Sequence, residues 1–292
     1  MILFIMMLGM AASGASVVFA KMGVLHPVAL AAWRLLLSGA ILFPWFLKDM
    51  KSMDGPFRLK QILPSLLPGV FLAAHFVFFI FGARLIPGAH ASLITTLSPI
   101  FMPFLMFFLI REKITPWEIL GSILALSGAL FLGLKDSRYA AEYIKGDVLC
   151  FIGMLFVTLY LALARRNRKN SPLWFYMIPL YMTGGIICLV IAAAAGADLL
   201  PRSSDDWISI LGLSVISTVA GHSINNFGMR KLRGQLVSLL NLTQILFASF
   251  FAFLVFAETP PVYFYPAAVL ILSGPLLVIL VNGRDKGSEK KT

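Results

Sequence analysis

Long apolar runs separated by short polar links make up nearly the whole chain. A helix needs about 20 apolar residues to cross a hydrocarbon core about 30 Å thick. Ten runs meet this requirement, and we predict that each is a membrane-spanning helix; they are called spans one to ten. Their approximate bounds are 2–20, 27–47, 61–83, 87–110, 116–134, 146–164, 172–195, 207–229, 234–257 and 262–281. The pattern therefore predicts an all-α integral membrane protein.

The first run has an alternative interpretation as a cleaved signal peptide, because Val18-Phe19-Ala20 loosely resembles a signal-peptidase site. The run lacks a positively charged leader and is longer than the apolar region of an ordinary signal peptide. We therefore expect it to remain as span one. The missing positive flank also leaves open a start codon upstream of Met1.

The composition indicates a chain that is solvated mostly by lipid. Of its 292 residues 59% are hydrophobic and 13% are charged, with a mean hydropathy of +0.90. Soluble domains are about 45–50% apolar and about 25% charged, so soluble modules are excluded. The net charge of +11 could suggest nucleic acid, but that function needs basic residues on one soluble face. Here they lie in short groups between apolar runs, and no nucleic-acid partner is expected.

The distribution of Lys and Arg predicts the orientation. With ten spans, 17 of the 24 Lys and Arg residues fall in links or tails on the side of the N-terminus, and six fall on the other side. The positive-inside rule places the richer side in the cytoplasm. We predict a multi-pass protein of the cytoplasmic membrane with both termini and the 48–60 loop inside. The 135–145 and 196–206 loops are then outside.

An internal repeat appears when the chain is shifted by 146 residues, because residues 74–130 then align with 220–276 without a gap. Each half has five spans, and an odd number forces the second half to enter the membrane upside down. Inverted repeats are typical of secondary transporters, with the substrate site near the midplane. We predict halves at 1–134 and 146–281 and a cytoplasmic polar tail at 282–292. The matched pairs are Gly82 and Gly228, Arg84 and Arg230, Gly88 and Gly234, Ser92-Leu93 and Ser238-Leu239, Phe101, Phe104 and Phe107 with Phe247, Phe250 and Phe253, Glu112 and Glu258, and Ser127-Gly128 and Ser273-Gly274.

Two groups of motifs resemble the EamA-type family of the drug/metabolite transporter superfamily. The resemblance covers nearly the whole chain and implies ten helices around a central cavity, with export or exchange of small metabolites. One departure is Ile245, after Gln244, where such proteins commonly have a proline matching Pro99, so a helix break in span nine is not expected on this ground. The first group is Ala91-Ser-Leu-Ile-Thr-Thr-Leu-Ser-Pro99, Arg111-Glu-Lys113 and Leu126-Ser-Gly128, similar to the fourth and fifth helices; the second is Gly221-His222 with Asn226, Val237-Ser-Leu239, Glu258 and Ser273-Gly274, similar to the C-terminal repeat.

Ionisable and amide side chains inside spans are the first candidates for a binding site, because they are costly in lipid. His75 and His222 occupy nearly equivalent positions in the two halves, which favours cavity lining over two separate core roles. Asn225 and Asn226 share a helix face with His222; the amides could instead join helices. Arg34 either snorkels to the headgroups or faces the cavity as an anion contact or structural pair.

Polar stripes on spans four and nine are the second group of candidates. Small hydroxyls in membrane helices often serve only close packing, but the recurrence of the stripes in both halves favours a cavity wall. Aromatic side chains, Phe79 among them, complete the predicted site. The stripes comprise Ser92, Thr95, Thr96, Pro99 and Pro103 in span four, and Ser238, Asn241 and Gln244 in span nine.

The remaining chemistry-bearing residues predict structural roles. Cys150 and Cys188 lie in apolar runs without metal or disulfide spacing, and we expect core residues and no metal or cofactor. Glu112 and Glu258 lie at span ends, where capping or pairing with loop cations is the plain explanation. No span has Asp or Glu at mid-depth. Coupling, if any, would use a histidine or an exchange of solutes.

The predicted function is that of a transporter, and the sequence disfavours two rival functions. A membrane-embedded enzyme acting on lipid would need a motif such as H-E-x-x-H or G-x-S-x-G, and neither is present. A channel or receptor would show rings of charge or carbonyl-lined loops, and none stands out. We expect outward transport of a neutral or zwitterionic metabolite, an amino acid or a related compound, with Arg34 serving its carboxylate if it faces inward. A homodimer is left open.

Overall fold

The computed structural model describes residues 1–53, 57–135, 143–169, 171–257 and 259–288. Within these ranges the protein is helical and has no strand. A π-helical segment, Gly212–His222, joins α10 to α11 without a loop. The helices are α1 (Ile2–Gly14), α2 (Ser16–Met22), α3 (Pro27–Lys51), α4 (Leu63–Leu85), α5 (Gly88–Thr95), α6 (Met102–Ile110), α7 (Pro116–Lys135), α8 (Ile144–Arg166), α9 (Leu173–Ala194), α10 (Ser204–Leu211), α11 (Ser223–Lys231), α12 (Gly234–Leu242), α13 (Gln244–Phe256) and α14 (Phe264–Ser288).

The lengths and composition of these helices make the protein a multi-pass membrane protein. In the described part of the chain, eight helical segments are long and apolar enough to cross a bilayer, and a bent pair provides a ninth. The apolar helix Pro116–Leu132, within α7, is shorter than these segments. The prediction of an all-α membrane protein is therefore confirmed.

The helix in span four is broken near its middle. A 3₁₀ turn at Ser98–Ile100 separates α5 from α6, and the two parts of the span are bent by 42°. Pro99 explains the break, because proline lacks the N–H that would continue the helical hydrogen bonds and restricts the residue before it. Span nine is interrupted only at Thr243, and Gly234–Val255 still forms one candidate span. Position 245, the repeat counterpart of Pro99, is isoleucine, so no proline breaks span nine there.

Small residues let α4 approach its neighbours closely. A Cβ atom on Gly82 would lie 2.6 Å from the Sγ atom of Cys150 and 2.8 Å from the carbonyl oxygen of Gly146. Only glycine tolerates such an approach between helix backbones, and this is a common way of packing helices in lipid. Cys150 is buried at this crossing, and Cys188 is also a buried free thiol. Both cysteines are thus core residues, as predicted.

Some predicted features fall partly or wholly outside the described residues. Glu258, residues 136–142 of the predicted outer loop and residues 289–292 of the predicted tail lie there. The predicted roles of these residues stay predictions. α14 extends to Ser288, seven residues beyond the predicted end of span ten at 281. Part of the predicted polar tail is therefore helical.

Candidate functional site: a polar cavity between the helices

A polar cavity of about 60 Å³ lies between helices from both halves of the chain. Its wall comes from α1 to α5 on one side and from α8 and α11 to α13 on the other, together with the π-helical segment. The structure brings ten of the thirteen predicted site residues to this wall. They are Arg34, His75, Phe79, Ser92, Thr95, Thr96, His222, Asn225, Asn241 and Gln244.

The two histidines face each other, with ring centroids 6.0 Å apart. His75 donates from Nδ1 to the carbonyl oxygen of Gly153 at 2.9 Å, since a carbonyl can only accept. In the neutral ring this tautomer leaves Nε2 as an acceptor. His222 packs edge-on against Phe76 at 5.0 Å, and its Nδ1 atom has no hydrogen-bond partner among the described residues. His75 is therefore anchored to α8, whereas His222 keeps free hydrogen-bonding capacity.

Arg34 faces inward rather than snorkelling to the membrane surface. Its side chain is fully buried, and its Nε atom donates to the hydroxyl oxygen of Thr218 at 2.6 Å. The guanidinium carbon lies 3.6 Å from the centroid of the Phe76 ring, a close cation–π contact. Of the two predicted alternatives for this residue, the structure excludes the one in which the side chain reaches the headgroups.

The π-helical segment positions both His222 and the hydroxyl that holds Arg34. Thr218 accepts from Arg34 and donates to the carbonyl oxygen of Leu213, five residues earlier, at 2.9 Å. Tyr181 adds a hydrogen bond to the carbonyl oxygen of Thr218 at 3.3 Å. π-Helical turns are rare and often occur at functional sites, because they shift side chains from α-helical register. This register change was not visible in the apolar pattern of span eight.

The hydroxyl stripe of span four lines the cavity with its donors already used. Thr95 donates to the carbonyl oxygen of Ala91 at 2.6 Å, and Thr96 donates to that of Ser92 at 2.9 Å. Such back-bonding leaves the hydroxyl oxygens available only as acceptors. On the opposite wall Gln244 donates to the side-chain oxygen of Asn241 at 3.1 Å. These hydroxyls and the Gln244 amide therefore have donors that are already used within the protein.

Three predicted site residues lie outside the cavity wall. Ser238 bonds to Gln235, whose Nε2 atom donates to the carbonyl oxygen of Pro99 at 3.1 Å and to the hydroxyl of Ser122 at 2.8 Å. This polar cluster joins spans four, five and nine behind the cavity. Asn226 donates to the Tyr160 hydroxyl and to the carbonyl oxygen of His222, and so supports the wall from behind.

The sequence interpretation missed the contribution of span one. Ser13 and Ser16 line the cavity, and Ser13 has a buried hydroxyl without a partner among the described residues. The signal was present, since two serines and Gly14 stand together at mid-depth in an otherwise apolar run. Ser98, Val157 and Leu161 were also missed, because a hydroxyl at a helix break and two aliphatic side chains carry no distinctive pattern.

One end of the continuous helical segment Ser204–Lys231, which contains span eight, holds the link between spans one and two. Asp206 accepts from the backbone N–H groups of Val24 at 2.9 Å and Leu25 at 2.8 Å. Arg84 donates to the carbonyl oxygens of Gly23 at 2.9 Å and Leu25 at 2.7 Å. We call this arrangement the Arg84–Asp206 cluster. Two charged side chains from different halves thus hold the backbone of the link.

The other end of the same segment holds the link between spans six and seven. Arg230 donates to the carbonyl oxygens of Ser171 at 2.6 Å and Pro172 at 3.2 Å. Asp49 accepts from the backbone N–H groups of Trp174 at 2.9 Å and Phe175 at 3.2 Å. This Arg230–Asp49 cluster has the same composition as the first: an arginine on carbonyls and an aspartate from the other half on N–H groups.

Two ion pairs strengthen the end that carries the Arg230–Asp49 cluster. Arg165 pairs with Glu112 at 2.7 Å, and Glu112 also accepts from the N–H of Gly234 at 3.0 Å. Arg233 pairs with Glu118 at 2.6 Å. Glu112 thus pairs with a cation in the last turn of α8 and accepts from the N–H at the start of α12, a structural role of the kind its place at a span end predicted. Neither acidic residue faces the cavity, and the described residues of the cavity wall include no Asp or Glu.

Apolar helices packed around a polar cavity to which both halves contribute are typical of multi-pass membrane transporters. The sequence pattern of the EamA-like transporter family matches residues 1–134 and 144–280. The chain belongs to this family, and the predicted resemblance is confirmed. Its substrates are therefore small molecules and its setting is the membrane.

Individual relatives support the same class at low identity. An uncharacterized transporter of Methanothermobacter thermautotrophicus is 22% identical over 282 residues, covering 89% of this chain and 80% of the relative. The uncharacterized transporter YcxC of Bacillus subtilis is 25% identical, over 86% of this chain and 80% of the relative. The aromatic amino acid exporter YddG of Ancylobacter novellus is 23% identical, over 66% of this chain and 67% of the relative. A solved crystal structure superposes with a TM-score of 0.77 at 18% identity, over 96% of this chain and 97% of that one.

Proposed function

We propose that this protein is a secondary transporter that exports small organic metabolites, amino acids or related neutral and zwitterionic compounds, by alternating access between two inverted five-helix halves. The observation that carries the proposal is the polar cavity to which both halves contribute unpaired polar atoms. Apolar walls with a few convergent polar groups suit a small amphipathic ligand. The proposal includes ten spans. It is supported by the helices that the structure has at each of the ten predicted apolar runs.

Matching contacts at the 146-residue offset support the inverted repeat. A Cβ atom on Gly128 would lie 2.7 Å from the carbonyl oxygen of Ala267, and one on Gly274 would collide with that of Gly121. Gly274 and Ala267 are the repeat equivalents of Gly128 and Gly121, so α7 and α14 meet through the same surface. A helix-ending residue with positive φ also recurs, since φ is 57° at Arg111 and 55° at its counterpart 257. Two halves related by a two-fold axis would produce both matches.

The two charged clusters support alternating access. Each lies at one end of the helical segment Ser204–Lys231, and each joins an arginine and an aspartate from different halves to one link. Equivalent closures at opposite ends, around one central site, are what rocking of one half against the other requires. In the present conformation both clusters are formed, and the cavity has room for only a few waters. In the proposed cycle, the cavity would have to widen to admit a metabolite.

The choice of cargo is supported by the chemistry of the wall and by one relative. Aromatic rings, hydroxyls and amides suit an amphipathic solute, and the absence of acidic residues among those described in the wall disfavours strongly cationic drugs. The relative named as an aromatic amino acid exporter moves a compound of this chemical type, as its name states. The proposed direction, outward, follows the same relative.

Orientation can be tested with single cysteines. Ser52→Cys lies in the proposed inner loop and Asp198→Cys in the proposed outer loop, and both positions are exposed. An impermeant maleimide added to intact cells should label Asp198→Cys and leave Ser52→Cys unlabelled until the cells are opened. The native Cys150 and Cys188 are buried, so the background should be low. Labelling of Ser52→Cys alone in intact cells would reverse the orientation.

Transport can be tested before the cargo is identified. Untargeted metabolite profiling should show at least one compound enriched outside cells that overexpress the protein, compared with cells carrying His222→Ala. The leading compound should then show saturable counterflow in proteoliposomes. Counterflow with stimulation by solute on the opposite side distinguishes a carrier from a channel or an enzyme. A strongly cationic drug or a sugar phosphate as the only saturable cargo would contradict the proposed cargo.

A further inference from the structure

The guanidinium of Arg34 is a buried positive charge with unused hydrogen-bonding capacity. Only Nε has a partner, the hydroxyl of Thr218; Nη1 and Nη2 are buried and have none among the described residues. No carboxylate of the described residues lies within ion-pair distance of it. One face of the guanidinium is covered by the ring of Phe76. The part of the guanidinium that is still free to bind a ligand is the edge carrying Nη1 and Nη2, and Arg34 lines the cavity.

That edge has the geometry of a carboxylate site. Two parallel N–H groups of a guanidinium match the two oxygens of a carboxylate, which gives strong charge-assisted hydrogen bonds. A buried charge without a partner is strongly unfavourable, so an anion that enters the cavity relieves an existing penalty. The held Nε and the stacked Phe76 fix the orientation of the fork before the ligand arrives. Preorganisation of this kind raises affinity because less freedom is lost on binding.

The other unpaired atoms of the wall are neutral: the hydroxyl of Ser13, which can donate or accept, and two acceptors. Oδ1 of Asn225 and Nδ1 of His222 are buried and have no partner among the described residues. Both can accept a hydrogen bond from an N–H or an O–H group of a ligand. The described part of the wall contains no Asp or Glu to neutralise an ammonium group. These acceptors can therefore bind an amino group or a hydroxyl group on the carbon next to the carboxylate equally well.

We infer that the cavity recognises its ligand by the carboxylate, through Arg34, and that the amino group is dispensable. The ligand class is accordingly the small monocarboxylates with a hydrogen-bond donor on the neighbouring carbon, 2-hydroxy acids as well as 2-amino acids. This inference rests on the proposed function only in taking the cavity as the transport site. It adds a class of substrate in which the positive charge of an amino acid is missing.

Two probe series separate the contributions of the carboxylate and the amine. The small series is L-alanine, L-lactate, L-alaninamide and ethylamine; the aromatic series is L-phenylalanine, L-3-phenyllactate, L-phenylalaninamide and phenethylamine. Binding is measured as the ligand-dependent shift of the thermal unfolding midpoint of the purified protein in detergent. In at least one series we expect the hydroxy acid and the amino acid to bind within about threefold of each other, and the amide and the amine to bind at least about tenfold more weakly.

Arg34→Met supplies the variant for this experiment, and Arg202→Met is its control. Methionine fills much of the same volume without the unpaired charge, so the variant should fold at least as stably as the parent. It should lose the preference for carboxylates. Arg202 is exposed and pairs with Asp198 at the surface, so its replacement should leave binding unchanged. If Arg34→Met does not fold, the comparison of acids with amides in the parent protein still decides the question.

Counterflow of the same probes in proteoliposomes separates this inference from the proposed function. Probes that bind through Arg34 without exchange across the bilayer would support the inference and contradict transport. Exchange of amides and amines as readily as acids would leave transport standing and overturn the inference. Equal stabilisation by sodium chloride or inorganic phosphate, which carry no donor next to a carboxylate, would also overturn it. So would the absence of carboxylate binding in both series.

Discussion

Replacement of Asp206 by alanine is expected to destabilise the protein by about 2–4 kcal/mol and to release the link between spans one and two. The carboxylate accepts from four backbone N–H groups, those of Val24, Leu25, Arg202 and Ser203. The N–H of Leu25 is buried, and leaving such a donor unpaired is costly. The substitution also removes one partner of the reciprocal cap that Ser203 and Asp206 form at the start of α10.

Asp205→Ala is the matched control, because Asp205 is exposed and stands next to Asp206 in the same first turn. Both substitutions remove one negative charge from the N-terminus of α10, so they share the effect of that charge on the helix dipole. Thermal unfolding in detergent should show a much larger shift for Asp206→Ala than for Asp205→Ala. A cysteine at Val24 should also react faster with maleimide when Asp206 is replaced. Equal shifts for the two alanine variants would show that the cluster does not hold the link.

Replacement of His222 by alanine is expected to lower transport of the leading metabolite at least about tenfold while leaving the amount of protein in the membrane near normal. The ring faces the cavity, and its Nδ1 atom makes no hydrogen bond within the described residues. Little intramolecular hydrogen bonding is therefore lost. What is lost is an acceptor for the substrate and the edge-on contact with Phe76.

His75→Ala is the informative companion variant. It should also reduce transport, but it removes the hydrogen bond to the carbonyl oxygen of Gly153 and so should lower the thermal unfolding midpoint as well. Counterflow rates, membrane levels and unfolding midpoints of the two variants separate these effects. Transport at parental rates in both variants would show that the cavity assignment is wrong. Loss of both proteins from the membrane would show that the histidines act as core residues.

The candidate site was predictable where the two halves carry related residues. His75 and His222 recur one residue apart under the 146-residue shift, which predicts a shared site, and the structure places their rings 6.0 Å apart. The prediction for Pro99 rests on a stripe at about 100° per residue, which assumes an unbroken helix. The helix breaks at that proline, and its carbonyl oxygen contacts Gln235 behind the cavity. Periodicity cannot follow a side chain through the break that the same residue causes.

The sequence by itself determined the class of the protein and its membrane setting. Lipid offers no hydrogen bonds to the backbone, so long apolar runs must become helices whatever surrounds them. The same constraint makes the 146-residue repeat readable, because packing glycines such as Gly128 and Gly274 recur with their neighbours. These properties depend on composition and spacing along the chain, which tertiary contacts do not alter.

Only the tertiary structure decided which polar atoms are paired. The sequence left Arg34 between the headgroups and the cavity, and it carried no sign that Thr218 would hold its Nε atom from a π-helical turn. Whether an atom finds a partner depends on distances of a few tenths of an ångström between residues 184 positions apart, as for this pair. The fork of Arg34 remains open because Thr218 and Phe76 use the rest of the guanidinium, and that arrangement exists only once the helices have packed.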